Sequence, residues 1–141
     1  MIDEITVWPD AQRGIHAMIE GVELMGFELV PSANPSREDF AGEQSVVVQL
    51  ETADTREGDV DRVQEVRLTV FGPSTYQSKD IFEAVLSYIS GTDIETPAMH
   101  TWPSFYFDEI RRNQGPSSPA YPDDTLYPAM GTVLCRARPM A

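Results

Sequence analysis

Lysine occurs once in the 141 residues, at Lys79, and cysteine once, at Cys135; the histidines are His16 and His100. A lone cysteine cannot close an internal disulfide, which removes the disulfide-stapled class and suits a reducing cytosol. Neither histidine belongs to a spaced ligand motif, so no metal site is expected. Positive charge is scarce as a class: 10 Lys+Arg stand against 23 Asp+Glu, for a net charge of −13. A nucleic-acid binder needs a basic face to replace the counterions of phosphate, and a protein held on anionic lipid needs the same. Both classes are therefore disfavoured. No apolar run nears the roughly 20 residues that a helix needs to span a bilayer. Met1 to Val7 carries Asp3 and Glu4 and no basic stretch, which argues against a signal peptide. A Gly-x-Ser-x-Gly elbow, a Walker A loop and a Gly-x-Gly-x-x-Gly turn are all missing. With 23 carboxylates, two lying close together by chance carries no information, and the chain is not expected to be an enzyme or to hold a cofactor.

What is present is enough for one core. Apolar residues make up 41% of a 15.7 kDa chain, which reads as a soluble single domain spanning 1–141. Charge is uneven: residues 1–60 hold 13 acidic and 3 basic side chains, and residues 61–141 hold 10 and 7. Six of the 11 prolines, from Pro97 to Pro128, fall within 32 residues. That stretch can hold only short ordered pieces, and Gln114 to Pro128 reads as a loop or arm.

Ile15, Met18, Ile19, Val22 and Met25 recur at helical spacing and predict a helix from about Pro9 to Met25, stopped by Gly26. Phe27 to Val30 reads as a short strand, and Pro31 to Gly42 as a polar loop. SVVVQLET, Ser45 to Thr52, is rich in β-branched residues and predicts a strand. In RVQEVRLTVFG, Arg62 to Gly72, Val66, Leu68 and Val70 alternate with Arg67, Thr69 and Phe71, the period of a half-buried strand. The acidic TADTREGDVD between them makes the pair an antiparallel hairpin. Ser74 to Ser90 predicts a second helix through Ile81, Phe82, Val85, Leu86 and Ile89, and strands follow at Ser104 to Asn113 and Ala129 to Arg138. The expected class is α+β: an antiparallel sheet with a long β-hairpin and two helices on one face.

Candidate residues follow from charge and exposure. Asp54, Glu57, Asp59 and Asp61 form an acidic loop at the hairpin tip, without the ligand order of an EF-hand. Its plain reading is a solvated turn; a second is a surface that repels DNA phosphates from a passage. Cys135 between Leu134 and Arg136 reads as a packed hydrophobe. Phe105 and Phe107 are strand positions facing the core, leaving Tyr106 on an exposed or subunit-facing side.

The order of elements resembles that of the tail terminator family of long-tailed bacteriophages. The residues that carry it are RVQEVRLTVFGPSTYQSKDIFEAVLSYI (Arg62 to Ile89), FYFDEIRRNQGPSSP (Phe105 to Pro119) and TVLCRARPM (Thr132 to Met140). The resemblance implies a structural virion protein of the tail or neck, assembled in the host cytoplasm, with no catalysis. It implies a homo-oligomeric ring, usually of six copies, that caps the tail tube and meets the head connector. Its partners would be itself, the tail tube protein and the connector or adaptor protein, with DNA passing through the lumen unbound and no membrane. The acidic loop would then face the lumen. Arg111, Arg112, Arg136, Arg138, Tyr106 and Tyr121 are the candidates for the subunit interface, the arginines meeting a neighbour's acidic loop as guanidinium pairs. The alternative is a small acidic binding or regulatory protein that neutralises a basic partner, read out as strongly salt-dependent association.

Overall fold

The computed structural model describes residues 10–40, 42, 44–58, 61–90, 101–102, 105–107, 109–119 and 125–137. Asp10 opens helix α1, Ala11–Ile19, as its N-cap: the carboxylate accepts from the backbone N–H groups of Gln12 (3.0 Å) and Arg13 (3.3 Å). The helix stops well before Met25. Gly21 takes φ +74°, a left-handed conformation that ends the 3.6 period although Val22 and Met25 keep its spacing. Met25 and Gly26, both at positive φ, form the turn joining strands β1, Glu23–Leu24, and β2, Phe27–Ser32.

β2 runs parallel to β3, Ser45–Glu57, so the sheet is mixed where only antiparallel pairing was expected. The twelve residues between them hold one 3-10 turn, Arg37–Phe40, at the lower limit for a parallel crossover. β3 also outruns its expected end at Thr52. It pairs with β4, Arg62–Gly72, all the way to Glu57↔Arg62, with an irregularity at Ala53 between Thr52↔Val66 and Asp54↔Glu65. TADTREGDVD is therefore mostly strand, and the connection shrinks to residues 58–61.

α2, Thr75–Ser90, follows β4. Ser78 joins its first turn to the sheet: its hydroxyl accepts from Gly72 N–H (2.8 Å) and donates to the Ser74 carbonyl (2.8 Å). Two short strands, β5 (Thr101–Trp102) and β6 (Phe105–Tyr106), pair with each other. β7, Glu109–Ser117, and β8, Tyr127–Ala137, complete a six-stranded sheet of order β1-β2-β3-β4-β8-β7. The proposed arm loses both ends to the sheet, since Gln114–Ser117 lie in β7 and Tyr127–Pro128 in β8; residues 120–124 lie outside the described set.

The α+β class holds, and both helices lie on one face. Ile15, Met18 and Ile19 of α1 share a single core with Ile81, Phe82, Val85 and Ile89 of α2 and with the inward residues of β3, β4 and β8. Gly131 makes this packing possible. A Cβ there would sit 2.5 Å from the Phe82 ring and 2.5 Å from the Gln114 carbonyl. Two glutamines tie α1 to the hairpin in both directions. Buried Gln64 on β4 accepts from Ala11 N–H (2.8 Å), and Gln12 on α1 accepts from Thr52 N–H (2.9 Å). Each satisfies a backbone donor that its own element leaves open.

Candidate interaction surface

Strand periodicity decides what the other face carries. Val66, Leu68 and Val70 point at the helices, so Val63, Glu65, Arg67, Thr69 and Phe71 point away. Register then assembles rows across β3, β4, β8 and β7. One row is Glu51, Arg67, Thr132, Gln114; the next is Asp54, Glu65, Leu134, Arg111; the third is Arg56, Val63, Arg136, Glu109. Among the described residues no helix lies over these rows. The 3-10 turn covers only one end, where Phe40 meets Phe71 edge-on with centroids 5.3 Å apart.

Neighbouring charges in these rows are matched. Arg67 meets Glu51 at 3.1 Å, Arg56 meets Asp54 at 3.2 Å, and Glu109 takes both Arg111 (3.0 Å) and Arg136 (3.1 Å). Asn113 donates to Thr132 Oγ1 (3.1 Å) and to the Glu65 carboxylate (2.5 Å). Four carboxylates and four guanidiniums thus make the outward side of these strands neutral, on a chain of net charge −13. A groove of about 290 Å3 crosses it, floored by Val63 and Leu134 and flanked by Asp54, Arg56 and Arg111.

The expected acidic loop does not form as a unit. The register shift at Ala53 puts Asp54 on the open face and Glu57 on the helix side, where it lies 3.8 Å from Arg62. Asp61 sits in the connection, its carbonyl accepting from Gly58 N–H at 2.7 Å; Asp59 lies outside the described residues. The arginines divide in the same way. Arg111 and Arg136 share the open face, whereas Arg112 points to the helices and binds Glu83 of α2 through both guanidinium nitrogens, one at 2.8 Å. That pair raises the Arg112 pKa and lowers that of Glu83, mainly through its hydrogen bonds. Arg111, Arg112 and Arg136 therefore have carboxylate partners within the chain, where a neighbour's acids were expected. Arg138, Tyr121 and the side chain of Tyr106 lie outside the described residues.

The remaining chemistry-bearing groups are structural. Cys135 is buried in the core as expected, and burial pushes its thiol up to about 12, far from a nucleophile. His16 sits on the exposed side of α1, 3.7 Å from Glu20 one turn on. Among the described residues no three His, Cys, Asp or Glu side chains gather where a metal ion could sit, and no helix is long and apolar enough to cross a membrane. Sequence reasoning missed Glu51, Glu65, Arg67, Glu109 and Asn113. The period of β4 already aims Glu65 and Arg67 outward; the others needed the full length of β3 and the pairing of β7. No family model matches the chain, and no curated protein matches its sequence.

Proposed function

We propose that this chain is a structural virion protein of a long-tailed phage, a tail-completion subunit. Copies of it assemble into a ring, six-membered by the family pattern, that caps the tail tube and joins it to the head connector. The observation that carries the reading is the β3–β4 hairpin. Its far half, Glu51–Glu57 with the start of β4, extends past the parallel pairing with β2, which ends at Gln49. Gln12 of α1 and Gln64 of β4 tie that half to the helical layer. A long edge strand of this kind, backed by β4 and β8, suits a subunit that reaches a neighbour.

Supporting it are the α+β layering and the element order on which the resemblance rests. The lumen role rests on the net charge of −13, which repels DNA phosphate, rather than on a four-carboxylate loop. Negative-stain microscopy of tailed particles carrying an antibody against this chain tests the assignment. Label at the head–tail junction is the expected result. Unlabelled particles, together with salt-sensitive capture of a basic partner by the free chain, would replace this reading with that of an acidic binding protein.

A further inference from the structure

The open face has a symmetry in its charges. Along the second row the acids Asp54 and Glu65 lie on β3 and β4, and the base Arg111 lies on β7. Along the third row the order reverses: Arg56 is on β3 and Glu109 on β7. We infer that this face is a self-association surface, across which two copies pair about a two-fold axis running along the strands between β4 and β8. That rotation lays β3 of one copy over β7 of the other while keeping the rows aligned. Asp54 then faces Arg111 of the second copy, Arg56 faces its Glu109, and both contacts occur twice.

A two-fold axis running across the strands through the second row opposes like groups instead. It sets Asp54 over Asp54 and Arg111 over Arg111. Placed between the second and third rows, that axis sets Asp54 over Arg56; both pairings are isologous, and the charge swap below separates them because only the rotation along the strands sets Asp54 against Arg111. The occupant is a second copy because this is where so acidic a chain can approach itself without repulsion. The outward side of the four strands is neutral, so the whole surplus of 13 negative charges lies elsewhere.

Exposure and size agree with the assignment. Arg56 is 84% exposed, Arg111 64% and Asp54 51%, so the groups are free to share partners across the contact. Four strands spaced about 4.8 Å apart, with the eleven residues of β8 as the length, give a footprint of roughly 700 Å2 per copy. A stable interface uses about 800 Å2 per partner, so this footprint falls within the standard size range. Val63 and Leu134, which floor the groove, lie opposite Arg136 and Glu65 of the second copy, whose aliphatic stems can cover them. The inference does not rest on the ring, which needs a separate head-to-tail contact.

Sedimentation velocity over a concentration series, with the full chain, tests the pairing. The wild type is expected to pass from 15.7 kDa toward about twice that mass, and to dissociate roughly tenfold more readily when salt is raised severalfold. Asp54→Arg and Arg111→Glu each place like charges in contact twice, and each weakens pairing by more than about 100-fold. Mixing the two variants restores a dimer, because the new arginine of one meets Asp54's counterpart position, the new glutamate, on the other. The unchanged Arg111 of the first likewise meets the unchanged Asp54 of the second. Circular dichroism checks that each variant is folded, and the second opposed pair, Arg56 and Glu109, supplies an independent swap. A wild type that stays monomeric into the hundreds of micromolar would overturn the inference. So would singles that leave the dimer intact, or a mixture that stays monomeric. A ring of six whose mass ignores both variants would overturn the pairing while leaving the ring reading in place.

Discussion

β4 shows two kinds of surface on one strand. Its inward residues Val66, Leu68 and Val70 are fully buried beneath two helices, while its outward Glu65 and Arg67 sit in a field of matched charges. Burial of apolar area holds the first side, at about 25 cal/mol per Å2 removed from water. The second contributes little to folding, because an exposed ion pair is worth about 0–1 kcal/mol. What such a face offers is specificity: charges fixed by register determine what can lie against it. Stability and recognition are thus assigned to opposite sides of the same sheet.

Substitutions on the covered side should dominate any unfolding series. Phe82→Ala empties the space against Gly131 and should cost about 3–5 kcal/mol in denaturant unfolding. Gly131→Ala attacks the same contact by overfilling it and should cost about 1–3 kcal/mol. Combining it with Phe82→Leu should recover part of that loss, and strict additivity would mean that ring and glycine are not in contact. Gln64→Ala orphans the first N–H of α1 and should cost about 1–3 kcal/mol, with α1 amides exchanging faster.

Smaller effects sharpen the contrast. Glu83→Gln removes the carboxylate held by Arg112; both partners are partly exposed, so the cost at neutral pH should stay below about 1 kcal/mol. The Glu83 pKa is lowered in the folded chain, so its stabilisation is present above the ordinary glutamate range and is lost as pH falls through the folded value. The variant should therefore lose less stability in acid than the wild type. On the open face, Arg67→Met should leave the melting temperature almost unmoved, with ΔΔG of about 0–1 kcal/mol. A loss as large as that from Phe82→Ala would end the division of labour between the two faces.

Most of the covered side was legible in the sequence. The alternation of β4 gave both of its ends, and the wide apolar face of α2 placed that helix within a residue. The open side was harder to read because the signal itself was missing. From Glu51 to Glu57 no side chain of β3 is buried, so hydrophobic alternation vanishes and an acidic strand looks like a loop. Cross-strand partners on β4 hold that segment, and only register reveals them. α1 failed in the opposite sense: Val22 and Met25 extended the stripe on paper, and the backbone turned at Gly21. The parallel pairing of β2 with β3 had no local signature, since a crossover without a full helix looks like any polar loop.

The residue at Ala53 has a consequence for how this surface can change over generations. Before it, even-numbered side chains of β3 face the helices; beyond it, odd-numbered ones do, so Asp54 and Arg56 lie outward and Thr55 inward. A straight strand of the same length, with no extra residue opposite β4, would exchange the two sets and turn Asp54 and Arg56 toward the core without altering either amino acid. Deleting Ala53 removes only the extra residue and keeps Thr52 inward and Asp54 outward, so the charge map of the open face tolerates the loss of that codon. Replacements that straighten the irregularity at residue 53, rather than its deletion, are the changes that would rewrite what this protein can stand against.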